Sequence, residues 1–307
     1  FRDPLLLENV DRIVSFAERH LADRQSTAGI AVFLSDRSLS CSKTFQFLTG
    51  GLIEQQLNEI AAIGASYDLF RLEDLPELVR QHRLGQYRFA IVLNAHLLDE
   101  VLREVINCEL KKNGRTILWL HAPGLIRNGR FDVEGCNTLT GIRCVMAEQQ
   151  RTSLLTEALV DGKRFSYGTP RNVNPRLYGT DPEALPLGWI VEGTWTPFRQ
   201  GANGAALLKK QSPEWTSIWS ASPNLPSALL SIFAEQAGVH LYTSRGDQLF
   251  QTANWVALHS KWDAPLTLRF PEPGNWRDAF TGEMLVRGSD SFATVTRRGE
   301  NLILERA

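Results

Sequence analysis

Four cysteines (Cys41, Cys108, Cys136 and Cys144), six histidines and 34 carboxylates are the groups with which this 307-residue chain would have to do covalent or acid–base chemistry. A cysteine nucleophile needs a thiolate at a strand-to-helix corner, backbone oxyanion donors and a partner histidine. The corner after the apolar run Thr116–Leu120 reads His121-Ala122-Pro123-Gly124, without a thiol, and Pro123 lacks an N–H that an oxyanion hole would use. Cys108 falls beside the apolar stripe of a helical stretch, Cys136 has no strand before it, and His240 is followed by Leu-Tyr with no Glu two residues on. Without C-x-x-C spacing, the four read as reduced, buried thiols.

Glycosidic bond hydrolysis needs two acids roughly 5–10 Å apart. Asp36, Glu73 and Asp74 do follow apolar runs, but Glu73 and Asp74 read as helix caps, and the strands cannot supply an eight-stranded barrel. No H-x-H or H-E-x-x-H spacing occurs. No catalytic residue, metal ligand or cofactor is therefore assigned.

What remains is a set of polar residues at strand ends. Between Gly29 and Met146 the apolar runs Ile30–Leu34, Tyr67–Leu72, Phe89–Leu93, Thr116–Leu120 and Ile142–Met146 alternate with amphipathic helices. The spacing predicts helices over 42–63 (Ser42 as N-cap, Gly64 as C-cap), from about 73 to just before Gly85, and over 98–111, the last with Val101 facing a parallel sheet. Ligands of such sheets gather beyond the carboxyl ends of the strands, which makes Ser35, Asp36, Asn94, His96 and His121 a candidate ligand crevice. Seven of eight tryptophans lie in the second, β-rich half. Most are expected to fill cores, and Trp195, in the most loop-like setting, is the candidate for stacking on a sugar ring.

The chain divides into a connector helix (1–27), an α/β domain (28–242) with a β-rich insertion over about 151–219, and a C-terminal β domain (243–307). The connector, about Leu6 to Leu21, carries Val10, Ile13, Val14, Ala17 and Leu21 on one face. Val239–Tyr242 reads as the last strand of the α/β domain, and short alternating runs from Trp255 to Leu304 read as a small antiparallel sandwich. A net charge of −1 with dispersed basic residues argues against nucleic acid, and no apolar run approaches the roughly 20 residues that span a bilayer. The start, Phe1-Arg2-Asp3-Pro4, reads as a fragment or a trimmed chain. The compartment stays open, with the cytoplasm favoured.

Six segments in order carry a resemblance. They are Val32–Ser38, Ile63–Leu75, Leu118–Gly124, Leu139–Ile142, Ala237–Tyr242 and Asp278–Glu283. Together they resemble the trimerisation domain and C-terminal β domain of family 42 glycoside hydrolases (β-galactosidases). The resemblance implies a flavodoxin-like, class I glutamine amidotransferase-like fold that has lost its nucleophile. It implies an upstream catalytic barrel as partner and homo-oligomerisation, and none of the family's catalytic residues carries over to this chain. Two other readings stay open: a carbohydrate-binding module using the strand-end crevice or Trp195, and a stand-alone hydrolase with an unrecognised site. The Trp-rich stretch Trp189–Trp219 departs from that family's β-galactosidases.

Overall fold

The computed structural model describes residues 4–22, 25–42, 47–147, 153–191 and 204–307. The chain forms two compact units, one of residues 29–60 and 67–239, the other of residues 1–28, 61–66 and 240–307. Among the described residues no helix is long and apolar enough to cross a membrane.

The larger unit holds β1 (Ile30–Leu34), β2 (Tyr67–Arg71), β3 (Phe89–Val92), β4 (Arg115–Leu120), a two-residue hairpin of β5 (Ile126–Arg127) and β6 (Arg130–Phe131), and β7 (Cys144–Met146). It continues with β8 (Ser153–Val160), β9 (Lys163–Asn172), β10 (Leu177–Gly179), β11 (Leu185–Val191), β12 (Ala205–Gln211) and β13 (Trp215–Ser220). One sheet runs in the order β2-β1-β3-β4-β13-β12-β11-β8-β9, with β10 and β7 attached beside β12. Neighbours from β2 to β13 are parallel, and those from β13 onward are antiparallel. Strands β3 and β4 are buried along their whole length, as expected of parallel strands covered on both faces.

The fifth parallel strand is β13, not the predicted Ile142–Met146, whose last three residues form β7 and pair antiparallel with β10. Nor is Val239–Tyr242 a strand. Val239 packs on Gly29 and Tyr242 joins the core of the other unit, so burial at a turn, not a ladder, explains that apolar run. The first crossover also differs. Ser35, in place of Ser42, caps a short helix Asp36–Ser40, and the chain then coils through Phe47–Gly50, a π-helical turn Gly51–Gln55 and Gln56–Ile60. Buried Gln56 pairs with both backbone groups of Leu225 (3.0 and 2.8 Å). Glu59 accepts the Ser227 amide (2.7 Å), so it caps the helix Ser227–Gln236 from a distance. Val101 is exposed, while Leu102, Ile106 and Leu110 carry the buried face.

In the smaller unit β14 (Gln248–Gln251), β15 (Trp255–His259), β16 (Ala264–Asp278), β17 (Met284–Thr296) and β18 (Asn301–Arg306) form one antiparallel sheet in the order β14-β15-β18-β16-β17. The expected pair of facing sheets is replaced by one sheet that coils. Register shifts between Arg269 and Arg277 bend β16, so that Phe270 stacks on Trp276 of the same strand (4.3 Å). Ala279-Phe280, expected as a strand, lies in the following turn. Gly64, at φ +91°, belongs here: a Cβ on it would stand 1.8 Å from the Thr243 carbonyl oxygen, which only glycine permits.

The first helix, Pro4–Arg19, packs on this sheet through Phe16, which meets Trp255 edge-on (5.8 Å). Glu305, buried, draws in His20 (3.1 Å), Arg277 (2.7 Å) and Arg19 (3.6 Å). Burial pushes its carboxyl up, but the His20 and Arg277 hydrogen bonds and the nearby guanidinium charges outweigh that and hold it below its ordinary value. The predicted apolar stripe is a different face: Val10, Ile13, Val14 and Leu21 are all exposed.

Candidate functional site

The carboxyl ends of β1, β3 and β4 deliver four of the predicted crevice residues into the interior and leave Asp36 outside. Ser35 and Asn94 lock onto each other, Asn94 Oδ1 accepting the Ser35 amide (2.7 Å) and Nδ2 donating to the Ser35 carbonyl (3.0 Å). The Ser35 hydroxyl donates to Glu73 (2.8 Å) and accepts the Ser38 amide (3.1 Å). Glu73 also accepts the amides of Asp36 and Arg37, both at 3.2 Å. Its carboxylate thus occupies the position an external anion would take at the start of Asp36–Ser40. Asp36 faces Arg71 (3.6 Å).

Burial pushes the Glu73 carboxyl up, but hydrogen bonds from its own backbone, the Ser35 hydroxyl and the two amides outweigh it and hold the group below its ordinary value. Glu73→Gln is expected to cost about 1–2 kcal/mol at pH 7, the worth of charge-assisted hydrogen bonds at a partly exposed group. The difference from the parent chain should be present in full above the ordinary value of 4.5 and shrink as the pH falls through the depressed value of the folded chain; urea unfolding at pH 7 and across the acid range checks both parts.

His121 ends β4 at φ +61°, a conformation side chains rarely adopt. Its amide donates to the Ser220 carbonyl (2.7 Å) and its own carbonyl accepts the Trp219 indole N–H (2.8 Å). Ring Nε2 lies 2.8 Å from the Pro175 carbonyl, which can only accept, so Nε2 carries the proton and Nδ1 is bare. That bare nitrogen faces His96 Nε2 at 3.5 Å, with the rings edge to face. Burial lowers both imidazoles, His96 to about 3 with a contribution from His121, and His121 to about 4 against the opposing pull of Pro175. Both rings are neutral at pH 7 and serve as hydrogen-bonding spacers. Neither has the protonation state of a general acid.

The loop between β9 and β10, which brings Pro175, covers this rim from the inserted region. Beneath it, Tyr167 hydrogen-bonds Ser220 (3.0 Å) and Thr156 meets Ser222 (2.5 Å), tying β9 and β8 to the end of β13. Gly124, at the corner that follows β4, donates its amide to Ala95 O (2.6 Å) and its carbonyl accepts Arg103 (2.7 Å). Arg103, buried, also reaches the Gly135 carbonyl (3.2 Å), so a guanidinium braces the corner against the helix Val133–Thr140. Of the thiols, Cys41 and Cys108 are exposed, contrary to expectation, and Cys136 and Cys144 are buried. Trp195 lies outside the described residues. Trp189, Trp215, Trp219 and Trp276 are core residues, whereas Trp262 is half exposed.

Among the described residues, no three His, Cys, Asp or Glu side chains converge as metal ligands would. A polar cleft of about 460 Å³ opens between the turns of Glu100–Leu110 and the helix Val133–Thr140, with Arg103 and Gly135 in its lining. Carboxylates of Glu100, Glu104 and Glu134 and the guanidinium of Arg127 line it.

No protein-family profile matches the chain, and no curated protein sequence matches it. Solved structures do share its fold. A β-galactosidase from Bacillus circulans sp. alkalophilus aligns over 95% of this chain and 43% of its own, at 15% identity and a TM-score of 0.68. A β-galactosidase from the haloarchaeon Halorubrum lacusprofundi aligns over 95% and 42%, at 15% identity and 0.61. The α-L-fucosidase isoenzyme 2 of Paenibacillus thiaminolyticus aligns over 95% and 50%, at 11% identity and 0.59. The chain spans half or less of the length of each, and at such identities the likeness is one of fold.

Proposed function

We propose that this chain is a non-catalytic assembly region of a β-galactosidase-like glycoside hydrolase, whose catalytic barrel lies elsewhere in the parent polypeptide. One observation carries the reading: the strand rim, where this fold would do chemistry, is filled by the chain's own groups. Glu73 takes the amides beside Ser35, Pro175 takes the His121 ring, and Arg103 holds the corner at Gly124. The parallel order β2-β1-β3-β4-β13 supports a flavodoxin-like ancestry of the amidotransferase type. The partial alignment with two β-galactosidases and a fucosidase supports the parent class. In this reading the molecule self-associates and walls a neighbouring barrel instead of breaking bonds.

The test is sedimentation of the purified chain over a range of concentrations, alone and with the parent's barrel supplied in trans, beside hydrolysis assays on aryl galactosides and fucosides. Self-association or barrel binding without hydrolysis is expected. A strict monomer indifferent to the barrel, or hydrolysis by the chain alone, overturns the proposal.

A further inference from the structure

The sulfurs of Cys136 and Cys144 lie 3.7 Å apart, both sealed from solvent. Cys136 sits within the helix Val133–Thr140 and Cys144 opens β7, with Gly141 (φ +69°) turning the chain between them. Asn137 fixes the return, its Oδ1 accepting both the Cys144 amide (2.8 Å) and the Cys144 thiol (3.2 Å). A disulfide has its sulfurs about 2.05 Å apart, so a closure of roughly 1.7 Å separates the pair from a bond. Thiols with merely structural roles need no such pairing, and Cys41 and Cys108 have none.

We propose that Cys136 and Cys144 form an oxidisable dithiol that a small-molecule disulfide, such as oxidised glutathione, closes to an intramolecular disulfide. The Cys136 thiolate attacks one sulfur of the oxidant, forming a mixed disulfide and expelling one thiolate, which takes up the proton Cys136 has shed. Cys144 then loses its proton and attacks the Cys136 sulfur. The second small thiolate leaves with that proton. Two protein thiols are oxidised to one disulfide, and one oxidant disulfide is reduced to two thiols.

Cys136 makes the first attack because the Cys144 thiol is held as a donor, to Asn137 Oδ1 at 3.2 Å and toward the Cys136 sulfur at 3.7 Å, which leaves the Cys136 sulfur as the acceptor of the pair. The Cys144 hydrogen bond and burial raise the Cys136 thiol, outweigh the nearby Arg103 guanidinium and hold it protonated at rest. The reaction is therefore slow and proceeds through local opening of the helix Val133–Thr140. The same helix walls the polar cleft, so the bond staples one side of that cleft to β7. The proposal does not depend on the assembly reading above.

The experiment incubates the native, wild-type chain with oxidised glutathione, quenches it in acid, alkylates it under denaturing conditions and maps the peptides by mass. The expected product is a peptide pair joined through Cys136 and Cys144, about 2 Da lighter than the dithiol and restored by dithiothreitol. Cys144→Ala should instead stall as a glutathione adduct on Cys136, and a Cys41→Ser/Cys108→Ser chain should still form the bond. Full alkylation of Cys136 and Cys144 after oxidation overturns the proposal. So does a cross-link that appears only in urea, in step with global unfolding.

Discussion

Replacement of Trp219 by alanine is expected to remove about 3–5 kcal/mol from the larger unit, a large share of the roughly 5–15 kcal/mol that holds a typical domain folded. Trp219 is wholly buried on β13 and pairs in register with Trp119 of β4, the junction between the parallel and inserted halves of the sheet. Two losses combine. The first is the cavity left by an indole in a packed interior. The second is an orphaned carbonyl: His121 O, which accepts the indole N–H at 2.8 Å, would lie buried without a donor. Trp219→Phe separates them, because it keeps most of the ring and loses only the N–H. It is expected to cost about 1–3 kcal/mol. Urea unfolding of both variants checks the ranking. A Trp219→Phe chain as stable as the parent would mean that the hydrogen bond to His121 contributes nothing to the rim's conformation.

The parallel strands β1, β3 and β4 were legible because strands buried on both faces read as unbroken apolar runs. β13 was harder to place. Thr216–Trp219 reads as a short strand of the β-rich insertion, yet Thr216 and Ser217 are buried in the parallel part of the sheet, Ser217 donating to the Thr140 carbonyl (2.6 Å). A run with half its residues hydroxylated carries no mark of a central strand. Ile142–Met146 competed for the same place with a more apolar pattern, and the ladder it joins became clear only through its partner β10.

The rim residues followed from strand ends alone, since Ser35, Asn94, His96 and His121 must lie there if the strands do. Their partners did not follow. Glu73 is 38 residues from Ser35, Pro175 is 54 from His121, and Trp219 is 98 from His121. No periodicity links such positions. Arg103 is the sharpest case. On a helix surface it reads as a solvated charge, whereas its place beneath the Gly124 corner depends on two carbonyls from another element. A sequence can therefore show that a corner carries no thiol; what occupies the corner is a tertiary fact.

The filled rim has a measurable consequence in acid. Stability is expected to fall by about 4 kcal/mol between pH 7 and pH 5, through His96 and His121 together. Unfolded, each binds a proton near its ordinary value of 6.5; folded, burial holds His96 neutral to about 3 and His121 to about 4. Below pH 6.5 the unfolded chain binds more protons than the folded one, so protonation draws the equilibrium toward unfolding. At pH 5, one and a half units below 6.5, each site contributes about 2 kcal/mol at about 1.4 kcal/mol per unit. The window separates this pair from the carboxylates. Glu73, Asp74, Asp99, Asp181 and Glu305 are all held below ordinary values of 4.5 or 3.8 and begin to lose their contributions only in stronger acid. A His96→Gln/His121→Asn chain, with asparagine tolerating the φ of +61° at position 121, should be nearly flat from pH 7 to 5. Urea midpoints across that range decide it. If the parent chain is as flat as the double variant, the two imidazoles are open to protons in the folded state, and the rim is not closed.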